Sequence, residues 1–172
     1  MADSGFSVTI DNKDTLRKIE KLLGKVKKPK PLLTIIGRYI QAQTKKMFIG
    51  RRPDINVIRG EKWGKLAEFT IRKKEQLKAM GKLIGSPRRP LVQTGALKRS
   101  LLRKGSLKVD NRGLEYGTEV KSDKGFSYPA LHQVGKRKMP KRRFLFITEQ
   151  ELYQIANTTA QWLKGLRIKK MK

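Results

Sequence analysis

The excess of positive charge is the feature that most constrains this chain. Its 172 residues include 42 Lys and Arg against 14 Asp and Glu, a formal net charge of +28. Most basic side chains therefore have no acidic partner within the chain, and their repulsion opposes compaction unless an anionic partner relieves it. Nucleic acid, an acidic protein surface and an anionic membrane are the candidate partners, and charge alone does not choose among them.

Apolar residues nevertheless make up 37% of the chain and recur at helical spacing. This pattern predicts a folded protein rather than a disordered basic segment. The length fits one domain with basic extensions. We assign residues 1–166 to a single α+β domain, with a helical part at 31–80 and a helix–hairpin–strand–helix part at 91–166. Residues 167–172 form a basic tail.

The sequence pattern of the N-terminal part predicts a short strand and two amphipathic helices. Residues 6–10 alternate between apolar and polar, as a half-buried strand does. Asp11 is the expected cap of the first helix, and the second helix is expected over Pro31–Phe48. The Pro-rich segment between the helices suggests an antiparallel pair. The residues expected to face the core are Leu16, Ile19, Leu22, Leu23 and Val26 in the first helix and Leu32, Ile35, Ile36, Tyr39, Ile40, Gln43 and Met47 in the second.

The middle of the chain alternates loops with short helices. Residues 49–62 are expected to form a loop, and Trp63 is interpreted as a core anchor beside Leu66 and Phe69. A helix is predicted over Leu66–Met80, followed by a Gly- and Pro-containing loop at 81–90. Thr94 is the expected cap of a short helix that ends at Leu101.

A hairpin and a capped helix are predicted in the C-terminal part. The segments 107–109 and 114–120 flank the turn sequence Asp-Asn-Arg-Gly at 110–113. A short helical or irregular segment is expected over 128–134, and Gly135 ends it. Residues 143–147 are predicted to form a final buried strand.

The last helix has the clearest start signal in the chain. Thr148 and Glu151 have the spacing of a capping box, and Ile147 and Leu152 that of a hydrophobic staple. Its expected inward residues are Leu152, Ile155, Ala156, Thr159, Trp162, Leu163 and Leu166. The whole pattern predicts an α+β fold. A small antiparallel sheet, made of the hairpin, the later strand and a candidate N-terminal strand, packs against the N-terminal helical pair and the C-terminal helix.

The residue patterns of catalysis and metal binding are missing from the sequence. The chain has no cysteine, which excludes disulfides, thiol catalysis and cysteine-based metal sites. Its single histidine, His132, is interpreted as a hydrogen-bonded structural residue, and no carboxylate motif or Walker-type phosphate loop occurs. We predict a non-enzymatic protein that needs no cofactor and no metal.

Targeting signals are also missing from the sequence. Residues 1–5 provide neither the basic nor the apolar region of a signal peptide, and the densest apolar stretch, at 32–40, is too short to span a bilayer. The positive charges are not gathered on one amphipathic surface helix. We therefore expect a soluble product with no membrane partner.

The densest basic cluster lies in the segment 136–143, which contains six basic residues in eight. Gly135 before it and Pro140 inside it favour a loop that could contact phosphates or an acidic protein surface. Other basic pairs are spread over several elements, and aromatic residues do not form a stacking series beside them. This distribution supports at most backbone contact without base readout. The predicted contact residues are Lys136, Arg137, Lys138, Lys141, Arg142, Arg143, Arg167, Lys169 and Lys170.

Several segments, taken in order, resemble the virion morphogenesis, or tail completion, proteins of Mu-like and P2-like phages. The resemblance lies in Trp63 with the segment Leu-Val-Gln-Thr-Gly-Ala-Leu-Lys-Arg-Ser at 91–100, and continues through Leu-Glu-Tyr-Gly-Thr at 114–118. Tyr-Pro-Ala-Leu-His-Gln-Val-Gly at 128–135 and Met-Pro-Lys-Arg-Arg-Phe-Leu at 139–145 follow, leading into the capped helix. The residues interpreted as architectural are Trp63, Thr94, Gly95, Leu97, Tyr128, His132, Gly135, Pro140, Phe144, Thr148 and Glu151.

This resemblance implies a structural virion protein without enzymatic activity. A small α+β subunit would form a ring, expected to be a hexamer, in the neck or at the top of the tail, where it joins the tail to the DNA-filled head. Its expected partners are further copies of itself, head-completion proteins and tail-tube or terminator proteins, with non-specific DNA contact as a further expectation. It would be made in the host cytoplasm.

The charge alone supports a different class of protein, a cellular nucleic-acid-binding protein of the ribosomal type. This alternative predicts tight RNA binding that weakens steeply with salt. The regular amphipathic helices and the capped C-terminal helix favour a compact protein over an extended ribosomal tail.

Overall fold

A computed structural model describes residues 13–48, 57–123, 125–135 and 139–166. In this part of the chain, six helices and two small antiparallel hairpins form an α+β fold, as predicted. The predicted strand at 6–10 lies outside the described residues. The helices are α1 Lys13–Lys27, α2 Lys30–Met47, α3 Glu68–Ala79, α4 Ala96–Leu102, α5 Tyr128–Val134 and α6 Glu149–Lys164. The strands are β1 Val57–Ile58, β2 Glu61–Lys62, β3 Leu107–Val109 and β4 Leu114–Tyr116, with a 3₁₀ turn at Lys104–Ser106.

The hydrophobic core gathers side chains from distant parts of the chain. The ring of Phe48, at the end of α2, meets Trp63 edge-on at 6.3 Å and Phe144 at 6.1 Å between centroids. The indole Nε1 of Trp63 donates to the carbonyl of Arg143 at 2.7 Å. Trp63 is thus a core anchor, as predicted. Phe69 has no part in this core, because its side chain is 78% exposed. The buried core residues are Met47, Phe48, Trp63, Val92, Leu97, Leu101 and Phe144.

The predicted β3–β4 hairpin forms with Leu107 opposite Tyr116 and Val109 opposite Leu114. Its turn is closed by Asp110, whose Oδ1 accepts hydrogen bonds from the backbone of Arg112 and Gly113 at 2.7 and 2.8 Å. These bonds lower the pKa of Asp110. β4 ends at Tyr116 rather than at residue 120, because after Gly117 bonds to Ser106 the chain leaves the ladder.

Helix α2 lies directly across this hairpin. Its Gly37 is buried, and a Cβ there would come within 2.6 Å of Leu107 and 2.8 Å of Leu114. The missing side chain permits a close approach of helix and sheet. Leu32, Tyr39, Gln43 and Met47 of the predicted inner face are buried, and the remaining three residues are half-buried.

A hairpin with a two-residue turn forms at 57–62, within the segment 49–62 that was expected to be a loop. β1 and β2 pair across Arg59 and Gly60, both of which have positive φ, as the tight hairpin turn requires. This turn directs the Arg59 side chain to α6, where its Nε and Nη2 bind both carboxylate oxygens of Glu151 at 2.7 and 2.5 Å. The same Nη2 donates to the carbonyl of Phe146 at 2.6 Å, and the guanidinium lies 4.3 Å from that ring.

The predicted capping box of α6 is confirmed and is part of the same network. Thr148 accepts from the backbone of Glu151, and the Glu151 carboxylate accepts from the backbone of Thr148. Burial of Glu151 opposes its ionisation, but the hydrogen bonds and the charge of Arg59 outweigh it and hold the pKa below its usual value. Glu151 therefore serves as both the cap of α6 and the partner of Arg59.

The predicted strand at 143–147 does not form. Side chains bind part of its backbone instead. The amide of Gln133 in α5 accepts through Oε1 from Phe144 and Leu145 at 3.1 and 3.2 Å and donates through Nε2 to the carbonyl of Leu145. A side chain takes the place of a neighbouring strand here, which sequence pattern cannot signal. Phe144 remains in the core.

Helix α1 is the largest departure from the prediction. It does not pack along α2. Except for Lys25, every residue of α1 whose side chain is described is exposed, so the predicted inner face points outward. The helix is held to α6 by Lys25, whose Nζ donates to the carbonyls of Trp162 and Leu163 at 2.9 Å each. A cation at a helix C-terminus is favourable because the last carbonyls of the helix carry partial negative charge.

Helix α6 turns a different face inward from the one predicted. Its buried residues are Glu151 and Thr158, while Leu152, Ala156 and Leu166 are exposed. The other four predicted inward residues are half-buried. Inward contacts of α6 include the Arg59–Glu151 pair and a 2.7 Å hydrogen bond from the Tyr39 hydroxyl to Gln154. These polar bonds fix the rotation of the helix and leave the apolar strip outside.

The Arg59–Glu151 pair predicts a double-mutant result. Arg59→Met leaves the Glu151 carboxylate buried without its cation and should cost about 3 kcal/mol of unfolding free energy. In the Arg59→Met background, Glu151→Gln should cost much less unfolding free energy than it does in the wild-type chain, because the double variant leaves no buried charge unpaired. Urea unfolding of the two single variants and the double variant measures this coupling. Arg17→Met, on exposed α1, is the control and should change stability by less than about 0.5 kcal/mol. Additive effects would contradict the assigned pair.

Candidate functional site: a cationic cleft and two exposed apolar helix faces

A cleft of about 440 Å³ lies between α3, α4 and α5. It brings together several residues that the sequence analysis singled out in separate motifs, and it adds two lysines. Three basic side chains line it, together with the single carboxylate of Asp123. The lining includes Thr70, Lys74, Thr94, Gly95, Leu97, Lys121, Asp123, Tyr128, His132 and Arg142.

Lys74 is buried in the cleft wall without a carboxylate partner in the part of the chain that the structure describes. Its residue is 5% exposed, and its Nζ donates to the carbonyl of Arg89. The Arg89 guanidinium donates in turn to the carbonyl of Phe48. Burial, followed by the charges of Arg142 and Arg89, lowers the pKa of Lys74 to about 8. An anion in the cleft would favour the charged form.

Arg142, one of the predicted contact residues, is buried rather than exposed. It is 5% exposed, and its guanidinium donates to the carbonyls of Gly64 and Lys65 at 3.1 to 3.3 Å. Burial lowers its pKa. Arg142 therefore joins the segment before α3 to the cleft rather than presenting its charge at the surface.

His132 lies on α5 beside Arg142. Its ring meets Tyr128 edge-on at 6.5 Å between centroids, and its backbone carbonyl accepts from Arg142 at 2.7 Å. Burial, and then the charge of Arg142, lowers its pKa. The buried Nδ1 has no hydrogen-bond partner among the described residues. The hydrogen bond expected for the His132 side chain is therefore not made through Nδ1.

The base of the basic segment at 136–143 is closed by backbone contacts. Gly135 has φ of +73°, and a Cβ there would come within 3.0 Å of the backbone of Lys141. Lys141 is exposed, whereas Arg143 is half-buried with its guanidinium 5.5 Å from the Phe146 ring. Lys136, Arg137, Lys138, Arg167, Lys169 and Lys170 lie outside the described residues, so their predicted contacts stay a prediction.

The start of α4 differs in detail from the prediction. Gly95, not Thr94, is the N-cap residue and has φ of +74°. The Thr94 hydroxyl accepts a long 3.4 Å contact from the backbone of Ala96. Leu97 is buried in the core, and Pro140 is exposed near Gly64. The Thr-Gly pair thus turns the chain at the cleft wall.

Two exposed apolar faces form the second candidate site. The arm face of α1 consists of Leu16, Ile19, Leu22, Leu23 and Val26, whose exposed fractions are 41 to 60%. The α6 strip consists of Leu152, Ala156 and Leu163, of which the first two are exposed and the third is half-buried. Both sets have the spacing of a helix-packing seam. Sequence periodicity found these residues but assigned them to the interior.

The described residues contain no group of three or more His, Asp or Glu placed to hold a metal ion. No helix in the described part of the chain is long and apolar enough to cross a membrane. The chemistry that the cleft offers is electrostatic, because Lys74, Lys121 and Arg142 can attract a carboxylate or a phosphate.

Comparison with known proteins gives no match. No protein-family model, no curated protein and no solved structure is similar to the chain.

The buried lysine predicts a specific pH dependence of stability. Between pH 8 and its ordinary pKa of 10.5, Lys74 is protonated in the unfolded chain and largely neutral in the folded one. The unfolded state then binds more protons, so stability rises with pH, whereas below pH 8 the cost of burying the charge is present in full. Lys74→Met should remove this rise, which amounts to about 2 kcal/mol.

Unfolding by urea between pH 7 and 10 measures this difference. Lys73→Met, at an exposed position of the same helix, is the control and should keep the wild-type pH dependence. If the unfolding free energies of Lys74→Met and wild type changed with pH in parallel, the result would contradict the burial of a charged amine at Lys74.

Proposed function

We propose that the chain is a structural subunit of a tailed-phage virion. It would form a ring in the neck or at the top of the tail and join the tail to the DNA-filled head. The observation that carries this proposal is the arm face of α1, a row of five apolar side chains left exposed on a helix that touches its own domain through Lys25. A helix of this kind is completed by a partner molecule.

The roles of the motif residues support the same proposal. Trp63, Leu97 and Phe144 are core residues, and Gly95 and Gly135 occupy positive-φ turns. The segments at 91–100, 128–135 and 139–145, which carry part of the resemblance to tail completion proteins, therefore contribute core or turn residues.

The positive charge fits a subunit that meets anionic neighbours. One ion pair, Arg59–Glu151, is formed among the described residues, while the chain carries 42 basic side chains. The surplus charge would face acidic surfaces of neighbouring virion proteins or the DNA path through the neck. The cationic cleft is a second place for such an anionic group.

The net charge of +28 also favours a cellular nucleic-acid-binding protein as a second candidate. This candidate requires RNA affinity that falls by orders of magnitude between 50 and 200 mM salt. Filter binding over that salt range, together with sedimentation of the protein with and without ribosomes at low salt, separates the two candidates. A virion subunit should sediment free of ribosomes.

Electron microscopy tests the virion proposal directly. Negatively stained images of the purified protein should contain rings, and phage particles assembled without the protein should have unjoined heads and tails. Complementation by the wild-type chain should restore joined particles. Normal, infectious particles made without the protein would refute the proposal.

A further inference from the structure

We infer that α1 of one copy docks its arm face on the α6 strip of a neighbouring copy. This inference rests on the proposed ring-forming function and specifies the surface that completes the ring contact. It follows from the direction of the arm face, the character of the α6 strip and the charges of the two helices.

The arm face is directed away from its own domain. Within one copy, α1 contacts α6 through Lys25. This residue lies about 120° around α1 from the centre of the arm face. The apolar row is therefore free while the helix is held in place. Leu16, Ile19, Leu23 and Val26 follow one another at spacings of three and four residues, as residues of a helix–helix seam do.

The α6 strip has a matching pattern on a rigid helix. Leu152 and Ala156 are one turn apart, and Leu163 follows seven residues after Ala156. The opposite side of α6 is fixed by the Glu151 and Gln154 contacts, so the strip is presented in a defined orientation. The small side chain of Ala156 leaves room for a leucine of an approaching helix.

The charges favour α6 over α2, α3 and α4. The sequence of α1 contains six basic and two acidic residues, and that of α6 contains one basic and two acidic residues. The helices α2, α3 and α4 each carry more basic than acidic residues, and α5 has no Asp, Glu, Lys or Arg. Because Glu151 is paired with Arg59, the exposed charges of α6 are Glu149 and Lys164, and a basic helix of a second copy meets less repulsion there than on α2, α3 or α4.

The contact is heterologous, since it joins different surfaces of the two copies. Each copy then has one arm face and one α6 strip, so the same contact repeats from copy to copy. The copies close into a ring when the rotation between neighbours allows it. An α1–α1 contact would be isologous and would end at a dimer. The two geometries make different predictions for mixed variants.

Sedimentation velocity of two variants and their mixture tests the inference. The arm variant carries Ile19→Glu and Leu23→Glu, and the strip variant carries Leu152→Glu and Ala156→Glu. All four positions are exposed, so both variants should fold, which circular dichroism checks. Each variant alone should associate at least about tenfold more weakly than wild type, because a buried carboxylate opposes the contact.

An equimolar mixture should give a dimer with one copy of each variant. The strip variant has an intact arm face, and the arm variant has an intact α6 strip, so one contact forms between them. The two remaining surfaces carry the substitutions, and no larger species should form. The control carries Arg17→Gln and Lys21→Gln on the opposite side of α1, which lowers the net charge by two, as each pair of Glu substitutions does. It should assemble within about threefold of wild type.

Cysteine cross-linking identifies the contact, since the natural chain has no cysteine. Ile19→Cys mixed with Ala156→Cys should yield a disulfide-linked dimer on oxidation, and neither variant alone should. Lys21→Cys mixed with Ala156→Cys is the control and should not cross-link. Dimers from Ile19→Cys alone would overturn the inference in favour of an α1–α1 contact.

The remaining outcomes separate this inference from the proposed function. A strip variant that assembles like wild type overturns the α6 contact while ring formation stands. A doubly substituted chain, with both Ile19→Cys and Ala156→Cys, that cross-links only within one molecule shows that the arm folds onto its own α6, and it overturns the inference. Wild type that is monomeric at every concentration overturns both.

Discussion

The buried contact between Arg59 and Glu151 determines how the C-terminal helix sits on the domain. Glu151 caps α6 through Thr148 and at the same time binds the guanidinium that the β1–β2 turn delivers. Arg59 also binds the carbonyl of Phe146, so the segment before α6 is fixed by the same side chain. Carboxylates are scarce in this chain, which has 42 basic and 14 acidic residues. The carboxylate of Glu151 fixes the rotation of α6 about its own axis. That rotation leaves the Leu152–Leu163 side of the helix exposed.

Scarcity of carboxylates explains the other buried cations. The buried Lys74 and Arg142 and the half-buried Arg89 bind backbone carbonyls, which accept their hydrogen bonds without neutralising their charge. Such groups remain costly to bury, and the lowered pKa of Lys74 expresses that cost. The cleft beside them therefore keeps a net positive character, because three basic side chains line it against the single carboxylate of Asp123. An anionic neighbour is the complement that this arrangement favours.

The sequence predicted the features that depend on local interactions and missed those that depend on tertiary contacts. The Thr148–Glu151 capping box, the Asp110 turn and the end of α5 at Gly135 each involve residues close together in sequence. The predicted strand at 143–147 failed because a distant side chain, Gln133, binds part of its backbone. Periodicity located the apolar rows of α1 and α6 but could not tell whether they face the core or a second molecule. Nothing in the Arg-Lys-Lys run at 72–74 marks Lys74 as the buried member.

The central claim is that the arm face of α1 is completed by another copy of the chain. Hydrogen exchange of the wild-type protein at several concentrations measures this directly, because the backbone amides of α1 are protected only where the helix is packed. We predict that protection of residues 16–27 and of α6 rises together as concentration increases. Fast exchange in α1 that is independent of concentration, in a protein otherwise folded, would contradict the account.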